Sequence, residues 1–361
     1  MDSEDQESPE TSSEAEDEYC TVCHTVYAAA KGCWCELECA AETSRIGPGL
    51  SASANPLRIL SRCLMPVAES LVQVALKRIL VATDFSEWSK RALLAGLGIA
   101  QRYASDLHIV HVVPSEGYGV AGVGMLGAVN FARHNARDLE SEFLQRGYFE
   151  GIRYRISVEK GDVWPAVSRI IDEEGIDLVV VGTRGRSGLG RLLLGSVAET
   201  IFRYSACPVL TVGPNFEMSF PLTAQPRSVL FPTDFSSQAE HALPYAVALA
   251  EQHQALLTFL HVVQPAGQAT FNKDRTIRYA SARLQELMAT TARFSGEREF
   301  IIETGEPAEG IVKVAAVTGA ELVVLGVRAP ATFADRLGWS TAYGVVRQAH
   351  CPVLTVRHTN P

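Results

Sequence analysis

Short apolar runs and longer amphipathic stretches alternate along most of this 361-residue chain. The runs at 78–82, 107–113, 154–158, 178–181 and 209–212 read as strands. Two of them are almost unbroken Val, Ile and Leu, the pattern of strands covered on both faces. Between them, 89–103, 131–148, 165–174 and 196–204 carry apolar residues at helical spacing. Sustained strand–helix alternation predicts an α/β fold, a doubly wound parallel sheet with right-handed crossovers.

The pattern occurs twice. KRILVATDFS at 77–86 returns as RSVLFPTDFS at 227–236, and His111-Val112-Val113 returns at the same offset of 150 as His261-Val262-Val263. Val180-Val181-Gly182 then matches Val324-Leu325-Gly326 at 144, and CPVLTV at 207–212 recurs unchanged at 351–356. The six-residue slip falls between His111 and Val180, where the glycine-rich stretch 117–127 is the expected insertion. Recurrence of four segments in one order predicts a duplicated domain. The units span 76–213 and 226–358. A short semi-rigid linker, 214–225, carries Pro214 and Pro221 and leads to Pro226.

Charge and cysteine change the picture only at the N-terminus. Residues 1–18 hold nine Asp or Glu and no Lys or Arg, leaving 32 acidic against 32 basic residues elsewhere, so the net charge of −9 belongs to the tail. A balanced body lacks the basic surplus that nucleic acid or anionic lipid requires. No run approaches the ~18 apolar residues of a membrane span. An acidic start is unlike a secretory signal, which points to a cytoplasmic protein with reduced thiols. Residues 1–75 form an acidic, Cys-rich extension expected to be disordered. Cys20, Cys23 and His24 match a haem-attachment pattern that belongs to exported proteins. With Cys33, Cys35 and Cys39 they also offer ligands for zinc, but at the spacing of no familiar finger, so no metal site is assigned. A further reading starts the chain at Met65, shortly before the first unit.

Ligands of open parallel sheets bind beyond the carboxyl ends of the strands. There the first unit places Asp84, the backbone at Val112, and the loop Gly182-Thr183-Arg184-Gly185 through Gly195-Ser196. Glycines between a buried strand and a helix let backbone N–H groups turn toward one point, and the helix start adds its positive dipole end, which favours phosphate. Gly182, Gly185, Gly195 and Ser196 reproduce the G-x2-G-x9-G-[ST] pattern, and with the flanking KRILVATDFS, HVV and CPVLTV segments both units resemble the nucleotide-binding branch of the universal stress protein family. The resemblance implies two tandem five-stranded parallel sheets with helices on both faces, of the adenine nucleotide alpha hydrolase-like type. It also implies pairing of domains through the last strand, ATP or another adenine nucleotide as ligand, with Mg2+ as a possible companion, and a cytoplasmic stress-response role. Carried over, Asp84 meets the ribose hydroxyls beside Thr83, and the backbone near Ala82 and Val112 frames the adenine. Gly182 sits by the ribose, while Gly185, Gly195 and Ser196 meet the phosphates. Of the loop arginines Arg184, Arg186 and Arg191, which also read as a solvated face, Arg184 is nearest the glycines and the one placed to reach phosphate.

The second unit departs from this pattern: Gly185 becomes Ala329, Gly195 becomes Trp339, and Pro330 removes a donor, whereas Asp234, Val262 and Ser340 are retained. Nucleotide is therefore expected mainly in the first unit. Structural readings stand beside these. Asp84 is also placed to cap the next helix, and Ser196 with Glu199 spells a capping box. His111, His261, Cys207 and Cys351 read as core residues. The loop lacks a P-loop lysine and an evident carboxylate pair for metal-held phosphoryl transfer. The sequence thus points to a nucleotide-dependent regulator of an unidentified protein partner. The alternatives are a slow ATPase, and an interaction scaffold in which the duplication supplies an internal pseudo-dimer. Further homodimerisation is left open.

Overall fold

The computed structural model describes residues 74, 76–115, 125–183, 194–213, 216, 225–264, 273–328 and 340–357, together with the short strands Glu18–Tyr19 and Val26–Tyr27. The chain divides into two units, Met1–Pro66 and Val67–Pro361. In the first, Glu18–Tyr19 pairs antiparallel with Val26–Tyr27; the six N-terminal cysteines and His24 lie outside the described residues.

The second unit holds both repeats. The first runs β1 (Arg78–Ala82), α1 (Glu87–Tyr103), β2 (Asp106–Val113), α2 (Met125–Gln145), β3 (Tyr154–Lys160), α3 (Val163–Glu174), β4 (Leu178–Gly182), α4 (Ser196–Tyr204) and β5 (Val209–Val212). The second runs β6 (Ser228–Pro232), α5 (Ser237–His253), β7 (Leu256–Val263), α6 (Lys273–Thr290), β8 (Arg298–Thr304), α7 (Pro307–Thr318), β9 (Leu322–Val327), α8 (Ser340–Gln348) and β10 (Val353–Arg357). Together they form one ten-stranded sheet in the order β8-β7-β6-β9-β10-β5-β4-β1-β2-β3. Each half is a parallel, doubly wound five-stranded sheet, as the repeat predicts.

Burial explains the unbroken apolar strands. Ile79, Val81, Leu178 and Val180 pack into a core on one face, while Leu80, Ala82, Val179 and Val181 pack into a core on the other. Alternate side chains leave a strand on opposite sides, so a strand covered twice has no polar face. Both cores run through the two halves: one continues into Leu354 and Val356, the other into Val323 and Val353.

The halves meet at β5 and β10, which are antiparallel: Val353 pairs with Thr211, Leu354 with Leu210, and Thr355 with Val209. Thr211 Oγ1 donates to the Val353 carbonyl at 3.1 Å, and Thr355 Oγ1 to that of Val209 at 3.2 Å. These bonds mirror each other about Leu210 and Leu354, so the repeated hexapeptide pairs with its own copy. From the linker, Phe216 packs on the adjacent core and its carbonyl accepts from Arg91 Nη1 at 3.2 Å.

Two sequence expectations shift. Helix α2 occupies 125–145 rather than 131–148, because Gly147 adopts the left-handed φ of 70° and the Tyr148 N–H bonds back to the Phe143 carbonyl at 3.0 Å. That wrap satisfies the last carbonyls and ends the helix. Helix α2 has 21 residues against 18 in α6, so half of the six-residue slip lies within the helix. Gly127 is helical, and residues 117–124 lie outside the described ones.

Tyr103 and His253, equivalent positions in the two repeats, also touch. The Tyr103 hydroxyl donates to Gln252 Oε1 at 3.1 Å, leaving its oxygen to accept from His253 Nε2–H at 2.8 Å. Nδ1 of His253 is then a buried nitrogen with no hydrogen-bond partner among the described residues. Burial, with the charge of Arg102 adding to it, holds this imidazole below its usual range; burial likewise leads the lowering of His108. Protons bind the unfolded chain more readily than these rings, so their favourable state is complete above the ordinary histidine value of about 6.5 and is lost as pH falls toward the folded value. The melting temperature is expected to drop between pH 7 and pH 5, and His253→Gln to make that drop shallower in calorimetry. An equally steep drop in the variant removes His253 from the account.

Candidate functional site

The strand order reverses at β1, with β2 on one side and β4 on the other, so a crevice is expected beyond the carboxyl ends of β1 and β4. The chain leaves β1 through a tight turn. The Thr83 N–H donates to the Val110 carbonyl at 2.9 Å, and Thr83 Oγ1 accepts from the Phe85 N–H at 3.0 Å. Asp84 Oδ1 accepts from the Ser86 N–H at 3.0 Å, an Asx turn. The helix cap is Ser86, whose Oγ accepts from the Ser89 N–H at 3.3 Å. Asp84 therefore shapes the approach to α1 but does not cap it.

Phe85 sits at φ 63°, an uncommon conformation for a bulky residue. It is held there by His111, whose ring lies 4.6 Å from the Phe85 ring and whose Nδ1–H donates to the Thr83 carbonyl at 2.7 Å. A carbonyl partner requires the proton on Nδ1. The second half repeats the device: Phe235 at φ 59°, 4.6 Å from His261, whose Nδ1 bonds the Thr233 carbonyl at 2.8 Å. The sequence reading of these histidines as packed residues stands. Their task, fastening the turn that presents Asp84 or Asp234, appears only in three dimensions.

Across the crevice, β4 ends at Gly182. A Cβ there would lie 2.9 Å from the Trp88 carbonyl oxygen, so the glycine is required by the close packing of β4 on the first turn of α1. At Gly326 the same contact, with Gln238, is tighter still. This explains why the second repeat keeps this glycine while replacing Gly185 and Gly195. Thr183 follows; its hydroxyl is buried and has no hydrogen-bond partner among the described residues. The counterpart, Val327, has a methyl group where Thr183 has the hydroxyl. Sequence reasoning missed Thr183, although the Thr/Val exchange between the repeats was a usable signal.

The Gly195 N–H donates to the Thr183 carbonyl at 2.9 Å, which brings the start of α4 beside the end of β4. Here the capping box is corrected. Gly195, not Ser196, is the N-cap, in an extended conformation with no side-chain cap bond; Ser196 is the first helical residue and is exposed. Glu199 turns away to pair with Arg203 at 2.6 Å. With glycine as the N-cap and no capping side chain among the described residues, the helix start can offer backbone N–H groups to an anion.

Ala82, Thr83, Asp84, Val112, Gly182, Gly195 and Ser196 therefore come to one carboxyl edge of the first half, with Thr183 among them. Arg184 and Gly185 lie outside the described residues, as do Ala329, Pro330 and Trp339 of the second half. Because β5 and β10 are antiparallel, the carboxyl edges of the two halves face opposite ways. No group of three His, Cys, Asp or Glu placed to hold a metal occurs among the described residues, and none of their helices is long and apolar enough to cross a membrane. Gly182→Ala is expected to cost about 1–3 kcal/mol through overpacking against α1, and Gly326→Ala more. Urea melts of the two variants check the order.

Comparison with known proteins agrees with this architecture. The model of the universal stress protein family matches twice, over residues 75–213 and 226–357. Universal stress protein YxiE of Bacillus subtilis is 30% identical over 146 residues, covering 37% of this chain and 97% of that protein. Universal stress protein MJ0531 of Methanocaldococcus jannaschii is 26% identical over 138 residues, covering 38% of this chain and 81% of that protein. Among solved structures, a universal stress protein from Archaeoglobus fulgidus superposes with a TM-score of 0.62 at 24% identity, over 81% of this chain and 99% of that one, a likeness of fold.

Proposed function

The chain belongs to the universal stress protein family in tandem two-domain form, and we propose that it is an ATP-binding regulator of a stress response, with nucleotide held mainly in the first half. One observation carries the preference for that half. The buried Thr183 hydroxyl stands without a partner among the described residues at the end of β4, where the Thr183 carbonyl accepts from the Gly195 N–H at the start of α4, and the second half has Val327 in its place. A buried hydroxyl left unpaired costs about 1–3 kcal/mol, which a ligand oxygen would relieve.

In this reading the Asp84 carboxylate accepts hydrogen bonds from the ribose hydroxyls, while the backbone at Ala82 and Val112 borders the adenine. The N–H groups at the start of α4, with Gly185 and Arg184 before them, face the phosphates, where the helix dipole favours negative charge. Mg2+ travels with the nucleotide, since it binds chiefly through phosphates and water rather than through a protein cage. Another adenine nucleotide satisfies the same groups. A ligand spanning the β1 turn and α4 ties two elements that are otherwise linked through the sheet, and a protein partner reads the resulting shift in population. Both last strands are already paired within the chain, so a homodimer would have to use a different surface. Free Cys207 and Cys351 suit a reducing, cytoplasmic setting.

Calorimetric titration is expected to find one tight ATP site per chain. Asp84→Ala should weaken it about 10- to 100-fold and Thr183→Val about 3- to 10-fold, from the ordinary worth of charged and neutral hydrogen bonds. Two sites of similar affinity would overturn the preference for the first half. Steady-state turnover above roughly one per second would favour an ATPase over a regulator, and partner capture unaffected by Asp84→Ala would favour the scaffold.

A further inference from the structure

The repeated CPVLTV is followed by Gly213 in the first half and by Arg357 in the second. Arg357, the last residue of β10, is 6% exposed, and its guanidinium is spread over backbone carbonyls from both halves. Nε donates to the Ser205 carbonyl at 2.7 Å, and Nη2 donates to those of Phe202 at 2.9 Å and Arg203 at 2.6 Å. Nη1 donates to the Arg328 carbonyl at 3.0 Å. The first three oxygens belong to the C-terminal end of α4, in the other half. The fourth follows β9, at the head of the loop that replaces the first half's glycine-rich one.

The antiparallel junction makes this reach possible, because it sets the carboxyl end of β10 beside the start of β5, directly after α4. The carbonyls ending a helix have no partners within it, and a cation there complements the dipole. Burial draws the guanidinium down to about 10, which leaves it charged at neutral pH. A rigid fork can serve several fixed acceptors at once, whereas a lysine ammonium presents a single point. The reverse contact is not made: Gly213 lies against α8, where a Cβ would be 3.2 Å from the Ala349 carbonyl oxygen. The clamp runs one way, from the second half to the first.

We propose that Arg357 is a positioning residue for the first half's ligand site, so that the second half forms part of that site whatever its own loop binds. This rests on the nucleotide reading above. Helix α4 has only nine residues; Gly195 and Ser196 lie at one end and the Arg357 clamp at the other. A helix this short moves as a rod, so releasing its C-terminal end misplaces the N–H groups at its start. The bond to Arg328 ties the same guanidinium to the second half's loop, and the coupling is reciprocal: ligand on α4 also steadies the end of β9.

The test measures ATP affinity by calorimetry and amide exchange by mass spectrometry in full-length Arg357→Lys and Arg357→Gln. Val314→Ala, a core truncation in α7 of the second half, serves as the control for general destabilisation. Both Arg357 variants are expected to bind ATP at least fivefold more weakly, with exchange in α4 faster relative to α3, while Val314→Ala binds normally. ATP should slow exchange across 322–328 in the wild type and not in the variants. Wild-type affinity in both Arg357 variants, or an equal loss in Val314→Ala, overturns the proposal. If the wild type binds no ATP, the nucleotide reading fails on its own. Exchange in α4 then decides for Arg357: selective acceleration upholds the clamp, and unchanged exchange in both variants overturns it.

Discussion

The antiparallel pairing of β5 with β10 sets the frame for everything else in the repeat region. The last strand of a five-stranded parallel sheet is an edge whose N–H and C=O groups need partners, and here β5 and β10 close each other's edge through the same hexapeptide. Pairing Leu210 with Leu354 places a local two-fold axis between the repeats and lets Thr211 and Thr355 satisfy each other's strand. It makes the cores continuous on both faces and turns the two carboxyl edges in opposite directions. It also sets the end of β10 over the end of α4, which is why one residue beyond the repeat can act on the other half.

Within that frame the halves keep the same backbone devices and differ in chemistry. Both hold a phenylalanine at positive φ beneath a histidine that bonds the preceding carbonyl, and both need a glycine where the fourth strand crosses the first helix. These features are required to fold the turn and pack the helix, whether or not a ligand binds. The differences that bear on the site are Thr183 against Val327 and Gly213 against Arg357. Together they leave the first half with a hydroxyl that has no partner among the described residues and with α4 held at its C-terminal end by Arg357.

Much of the fold was legible because alternation and repeat are strong signals: β1 and β5 and the helices α3 and α4 fall within two residues of their predicted bounds. The start of α2 is not legible because Gly127 carries a loop signal, and helical propensity is a weak guide once a neighbouring core accepts Ala128, Val129 and Ala132. Ser196 and Glu199 satisfied a capping pattern, yet Gly195 took the cap and Glu199 found Arg203. Motif spacing cannot choose between such competing partners. The motif assigns Gly182 to the ribose, while its packing reason lies on Trp88, remote in sequence.

By itself, the sequence determined the class, the duplication, the family resemblance and the residues gathered at the carboxyl edge, because periodicity, spacing and glycine content are local properties of the chain. Which groups find partners is settled by the packed fold. That His111 fastens the Asp84 turn, that Thr183 has no partner among the described residues, and that Arg357 grips a helix 152 positions before it at Ser205, all depend on contacts made across the sheet. A hydrogen bond is settled by distance and direction in space, and a linear pattern carries neither.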